Sequence, residues 1–164
     1  EAREYQDMVI LPMRDAYMSL PDKVVLAYEY MLNNLPDDVP YLGMHDVEYC
    51  FNLKIVNEIV QSFEQKSPRI YDFLWAGYYV WKGDEYHQMK GAENIARPYI
   101  SGWANFLSRG LINLIIKEDR DHTVLNGMYG SVSEDVDVGK WVAFAESQHN
   151  VRTSLIGRND VIFK

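Results

Sequence analysis

Cysteine is nearly absent from this sequence. Cys50 is the only one, so no disulfide can form within the chain and the fold does not draw on an oxidising compartment. Its apolar surroundings predict a buried packing thiol. Long apolar runs are missing too. None approaches the roughly 18 residues that span a bilayer, and no signal-peptide pattern occurs. The expectation is a virion or cytoplasmic location without a membrane partner. Positive charge is scarce, with 16 Lys and Arg against 24 Asp and Glu and a net charge of −8. An acidic surface disfavours non-specific binding to nucleic acid. A local basic patch can survive on such a surface, and Arg97, Arg109, Lys117 and Arg120 are its candidates.

Complete catalytic signatures are also lacking. There is no G-x-S-x-G, no phosphate loop of the form G-x-x-x-x-G-K-[ST] and no G-x-G-x-x-G. The histidines at 45, 87, 122 and 149 are scattered. His45-Asp46 resembles the pair of HD-type phosphohydrolases, but no histidine precedes it to supply the first metal ligand. The pair is better read as a helix start, with Asp46 favoured in the first turn by the helix dipole. Asp84, Glu85 and His87 form the densest polar cluster, and their chemistry suits metal ligation, with Asp121 and His122 as further donors. A solvated loop is the plainer reading. A hydrolase with a metal site there stands as one alternative, and the residues themselves assign no catalytic group, metal or cofactor.

What is present is a chain of ordinary globular make-up: 164 residues, 48% hydrophobic and 24% charged. That suits one domain with a sizeable core. Residues 1–20 show apolar spacings of 3 and 4, an amphipathic helix broken near Pro12. Leu20-Pro21-Asp22 restarts a helix to about Leu35, followed by a loop to Pro40. His45 to Phe63 carries the 3.6-residue period most clearly. Helices are expected at 69–81 and 98–109, with Gly110 just past the end of the second. A loop is expected over 83–93.

From Leu111 the pattern turns strand-like. Leu111–Ile116 and Thr123–Leu125 predict a hairpin. Ser133 to Gly139 reads as an acidic loop, and Trp141–Ala145, Ser154–Ile156 and Val161–Phe163 as strands. The fold class is therefore α+β, with amphipathic helices first and an antiparallel β-hairpin region last. The division is a mainly helical 1–110 and a β-rich 111–164. A start at Glu1 inside a helical pattern and an end inside a strand suggest a fragment of a longer chain.

The stretch from Arg69 to Ile116 holds three of the four tryptophans. Tyr71, Trp75, Tyr78, Tyr79 and Trp81 fall on several faces of the expected helix. A helix apolar nearly all round is buried or covered by a partner, and Tyr and Trp are frequent interface anchors. Core packing and a protein–protein surface are the two explanations. A different reading makes a winged helix of 98–109 and 111–125, with Arg97, Arg109, Lys117 and Arg120 on nucleic acid. The acidic total and Asp119 and Asp121 at the wing tip oppose it.

The run Tyr78-Tyr79-Val80-Trp81-Lys82-Gly83-Asp84-Glu85-Tyr86-His87 continues as Asn94-Ile95-Ala96-Arg97-Pro98 and then Trp103-Ala104-Asn105-Phe106-Leu107. It resembles the portal proteins of tailed bacteriophages, in which an aromatic-ended helix and a loop with His lead to a Trp-Ala-x-x-Leu helix and a β segment. The resemblance covers about a third of the chain. It implies a ring-forming, non-enzymatic virion component at a head–tail junction, a homo-oligomer that contacts other protein subunits and DNA.

Overall fold

The computed structural model describes residues 19–66, 72–81, 98–119 and 134–163. In chain order the elements are α1 (Leu20–Asn34), β1 (Tyr41–His45), β2 (Cys50–Phe51), α2 (Leu53–Lys66), β3 (Asp72–Gly77), β4 (Val80–Trp81), β5 (Tyr99–Ile100) and β6 (Ala104–Ser108). They continue with α3 (Arg109–Asp119), α4 (Glu134–His149), β7 (Arg152–Gly157), a short 3-10 turn (Asn159–Val161) and β8 (Ile162–Phe163). The class is α+β, and an N-terminal helix precedes the strands.

The main sheet has the order β1-β6-β3-β7. β6 runs antiparallel to both β1 and β3, and β3 runs parallel to β7. Successive side chains along a strand alternate between faces, so each row across the sheet has one destination. The row Leu42, Leu107, Trp75 and Leu155 meets one core. The adjacent row Gly43, Phe106, Ala76 and Ile156 lies on the other face, where Phe106, Ala76 and Ile156 meet a second core.

The first core receives α1 through Val24, Val25 and Tyr28, α3 through Leu111, Ile112, Ile115 and Ile116, and α4 through Val136, Val138, Trp141, Val142 and Ala145. The second receives α2 through Ile55, Ile59 and Phe63, together with Val161. Each fully buried aliphatic side chain here contributes about 1.5–3 kcal/mol of transfer free energy.

Several expected elements are corrected. α1 lies where the Leu20-Pro21 signal placed it, with the proline in its first turn. The helix expected from His45 begins only at Leu53, because β1 and β2 take the preceding residues. Cys50 is exposed in β2 rather than buried. The segment expected as an aromatic helix contains strands β3 and β4. A strand covered on both faces is apolar on both, which a helix apolar all round also is.

The helix expected at 98–109 is instead β5 and β6. Leu111–Ile116, expected as a strand, lies in α3, where Leu111, Ile112, Ile115 and Ile116 share the buried side and Asn113 is exposed. Trp141–Ala145 lies in α4 by the same logic, since Val138, Trp141, Val142 and Ala145 recur at helical spacing. Gly110 does not cap a helix. It sits in the first turn of α3, where an added Cβ would lie 2.6 Å from Cε1 of Phe73. The strands at Ser154–Ile156 and Ile162–Phe163 are found as expected. The expected helix over 1–18, the loop over 83–93 and the hairpin's second strand at 123–125 lie outside the described residues.

Candidate active site

A groove of about 490 Å³ opens where the first turns of α1 and α4 come together beside β1 and β6. Leu20, Lys23, Val24 and Ala27 line it from α1, and Glu134, Asp135 and Val138 from α4. Met44, His45 and Asp46 close it at the end of β1, with Gly102 and Asn105 from the segment around β6. Its apolar members continue into the larger core, since Val24 and Val138 are core residues. Its polar members are three carboxylates, one lysine, one imidazole and one amide.

Two of the three carboxylates, Glu134 and Asp135, are held by backbone N–H groups. Asp135 accepts from the backbone N–H of Val136 at 2.8 Å on Oδ1 and from that of Gly102 at 3.2 Å on Oδ2. The first of these is a donor of the opening turn of α4, where carboxylates are favoured. Glu134 is half-buried beside it, and its carboxyl is pushed above the usual range. Burial is the main cause. Its own backbone N–H opposes the shift, and the negative charges of Asp135, Asp46 and Asp137 add to it.

Gly102 allows this close approach, because a Cβ there would lie 2.5 Å from Oε1 of Glu134. Asp46 is exposed in the turn after β1, with its carboxyl also raised, by partial desolvation first and by Glu48 second, while His45 opposes. The backbone N–H of Asp46 donates to the Trp103 carbonyl at 3.0 Å, and His45 Nδ1 donates to the Asp46 carbonyl at 2.9 Å. Asn105 is 6% exposed, lines the groove, and its Oδ1 has no hydrogen-bond partner among the described residues.

The described members of the two groups of residues singled out from sequence lie outside the groove lining. Trp75 is fully buried in the larger core, so it is a packing residue and not a surface anchor. Tyr78 is half-buried and stacks on Trp103, while Tyr79 is 40% exposed and packs edge-on against Trp81. Tyr71 lies outside the described residues.

Arg109 is 8% exposed and turns inward. Its guanidinium donates to the carbonyls of Leu32 and Pro36 at 2.9 Å and of Leu35 at 3.3 Å, and pairs with Asp37 at 3.2 Å. It caps the carbonyl end of α1, whose last groups have no intrahelical donors. Lys117 is exposed and shares with Arg109 a cavity of about 320 Å³ that also holds Glu29 and Asp37. With strands at 104–108 and a helix at 109–119, the winged-helix arrangement does not exist.

Arg97, Arg120 and the cluster Asp84, Glu85 and His87 lie outside the described residues. Among the described residues, no three His, Cys, Asp or Glu side chains converge as metal ligands would. No described helix is long and apolar enough to cross a membrane.

Glu134 and Asp135 were hidden in sequence by reading 133–139 as a loop. The signal that exposes them is an acidic pair opening a run with buried Val138, Trp141, Val142 and Ala145 at helical spacing. Nothing local in the sequence marks Lys23 or Asn105.

A family model described as Galactosyltransferase matches residues 1–150, a range that includes every groove residue named above. A comparison with curated proteins gives no match. The family match overturns the portal resemblance and the non-enzymatic virion reading drawn from it. The physical reason is that Trp103–Leu107 forms a turn and a strand, and 72–77 a strand, so the two helices that carried the likeness are not present. The chain belongs to the galactosyltransferase family.

Proposed function

We propose that this protein transfers a galactosyl group from an activated galactose to a hydroxyl acceptor, and that the groove between the first turns of α1 and α4 is where it does so. The observation that carries this reading is the Glu134–Asp135 pair, oriented by backbone N–H groups and set in a groove of about 490 Å³ inside the family-matched region.

The reaction needs three things. The anomeric C–O bond to the donor's leaving group breaks, and its electron pair departs with that group, here a diphosphate. A bond forms between the anomeric carbon and the acceptor oxygen. The acceptor's hydroxyl proton goes to a base.

The Glu134–Asp135 pair takes that proton. Asp135 is oriented by two backbone donors, and the Glu134 carboxyl is pushed above the usual range because burial disfavours its charge. Lys23 and the positive end of the α1 dipole favour the diphosphate in the same groove. The amide of Asn105 and the carboxylate of Asp46 are suited to hydrogen bonds from sugar hydroxyls. Three carboxylates would repel a bare anion, so the sugar belongs on the acidic side and the diphosphate toward Lys23.

The test is transfer of labelled galactose from UDP-galactose to a panel of simple β-hexoside acceptors. Turnover by the wild type and its loss in Asp135→Asn and Glu134→Gln, with the circular-dichroism spectrum unchanged, is the expected result. Absence of turnover, or full activity in both variants, overturns the reading.

A further inference from the structure

The cavity of about 320 Å³ that Arg109 shares with Lys117 lies at the other end of α1 from the groove. Glu29, Leu32 and Asn33 line it from the last turns of α1, and Asp37 from the segment after them. Arg109, Asn113, Ile116 and Lys117 line it from α3. On each helix the lining residues recur at steps of three and four, so one side of α1 faces one side of α3 across the cavity. No lining residue is shared with the groove.

The charged groups of this cavity are not equivalent. Arg109 is already engaged: its guanidinium donates to the carbonyls of Leu32, Leu35 and Pro36 and pairs with Asp37. Those bonds come from its two terminal nitrogens, and its Nε–H has no acceptor among the described residues. Once the Arg109–Asp37 pair is set aside, the lining keeps one cation, Lys117, and one carboxylate, Glu29. Lys117 is exposed and Glu29 half-buried. Among the described residues neither has an ion-pair or hydrogen-bond partner, and the two do not pair with each other. The cavity therefore has a positive pole on α3 and a negative pole on α1. Between them stand two amides, Asn33 and Asn113, each able to donate and to accept, and two aliphatic side chains, Leu32 and Ile116.

We infer that this cavity is a binding site for a small zwitterion, a free α-amino acid with an aliphatic side chain. Its carboxylate pairs with Lys117, above the Arg109 guanidinium, and its ammonium pairs with Glu29. Charge-assisted hydrogen bonds of this kind are the strong ones. The aliphatic side chain covers Leu32 and Ile116. The charge pattern excludes simpler ions: a lone carboxylate meets Glu29 and Asp37, and a lone amine meets Lys117 and Arg109. The volume stands at the lower end of the range for small-molecule pockets, too small for a nucleotide. This site is independent of the galactosyl-transfer reading, because it uses other residues of α1 and none of α4.

The experiment is isothermal titration calorimetry of the full chain with three probes: L-leucine, 4-methylpentanoate, which lacks the ammonium, and 3-methylbutylamine, which lacks the carboxylate. The wild type is expected to bind L-leucine saturably, with a Kd of about 1 mM or tighter. Both single-charge probes bind at least about ten-fold more weakly. Lys117→Met and Glu29→Gln each raise the Kd for L-leucine about ten-fold, the equivalent of about 1.4 kcal/mol. Melting curves without ligand show both variants folded, and L-leucine raises the melting temperature of the wild type more than that of either variant. Asp135→Asn, in the groove, binds L-leucine as the wild type does. No saturable binding of L-leucine by the wild type overturns the site. Equal affinity for 4-methylpentanoate or for 3-methylbutylamine makes it a plain ion site and overturns the zwitterion. Binding that survives Lys117→Met and Glu29→Gln but is lost in Asp135→Asn places the ligand in the groove and overturns the assignment to this cavity.

Discussion

The two faces of the central sheet are built for different purposes. Among the described residues, one face carries three helices and a large core; the other carries α2, the 3-10 turn and a core of seven buried residues. The three-helix face ends in the groove, because α1 and α4 bring their first turns to the same place beside β1 and β6. On the α2 face the buried side chains are mostly apolar, with Ser108 accepting from the Leu74 backbone N–H, and the Arg158 contacts with Glu58 and with Asp160 are on the surface. The lesson is that chemistry follows helix starts. Each start leaves backbone N–H groups without intrahelical acceptors. Two such starts, with an acidic pair on one and a lysine on the other, make a site that sheet packing alone does not.

Breaking the comparison at its chemical end has the largest expected effect. Asp135→Asn or Glu134→Gln lowers the transfer rate by about 10²–10⁴-fold, the range for removing a general base. Thermal melting of both variants shows the fold retained. The raised Glu134 carboxyl adds a pH signature. A base must be ionised to act, so activity falls as pH drops through the pKa of Glu134, and the acid limb lies above that of an ordinary glutamate. The rate–pH profile checks this, and Glu134→Gln removes that limb from any residual rate. The sign for stability is opposite. A folded-state pKa raised above the unfolded one means that ionised Glu134 opposes folding at neutral pH. Glu134→Gln therefore melts at a slightly higher temperature than the wild type at pH 7, and the gap closes below the ordinary glutamate range.

The packing side of the comparison comes next. Trp75→Ala, on the three-helix face and fully buried, costs about 3–5 kcal/mol in denaturant unfolding, whereas Ile59→Val on the α2 face costs about 0.5–1.5 kcal/mol. Equal losses for matched deletions on the two faces, for example Ile112→Val against Ile59→Val, would remove the distinction in core size. Arg109→Ala leaves the α1 carbonyls without their donor and costs about 1.5–3 kcal/mol. Gly102→Ala has the smallest effect on stability. Its Cβ meets the flexible end of Glu134, which moves aside, so activity drops while the melting temperature hardly changes.

Much of the α+β class was legible, but the elements were exchanged in the middle of the chain. Pro21 marked α1 because a proline fits a helix's first turn. Ile55, Ile59 and Phe63 marked α2 through a period that one buried face imposes. The reading failed where burial is two-sided. Phe73-Leu74-Trp75-Ala76 supplies both faces of β3, and that density mimics a buried helix. Leu111-Ile112 and Ile115-Ile116 supply one wide face of α3, and their branched side chains mimic a strand. The site was illegible for a related reason. Asp46, Asn105 and Glu134 are far apart in sequence and meet only because β1 pairs with β6 and α4 packs beside them.

The most direct test of the central claim is the transfer of labelled galactose from UDP-galactose by the wild type and by Asp135→Asn under identical conditions. The account predicts a galactosylated hexoside from the wild type and at least about a hundred-fold less from the variant. No product from the wild type, or equal product from both, would contradict it.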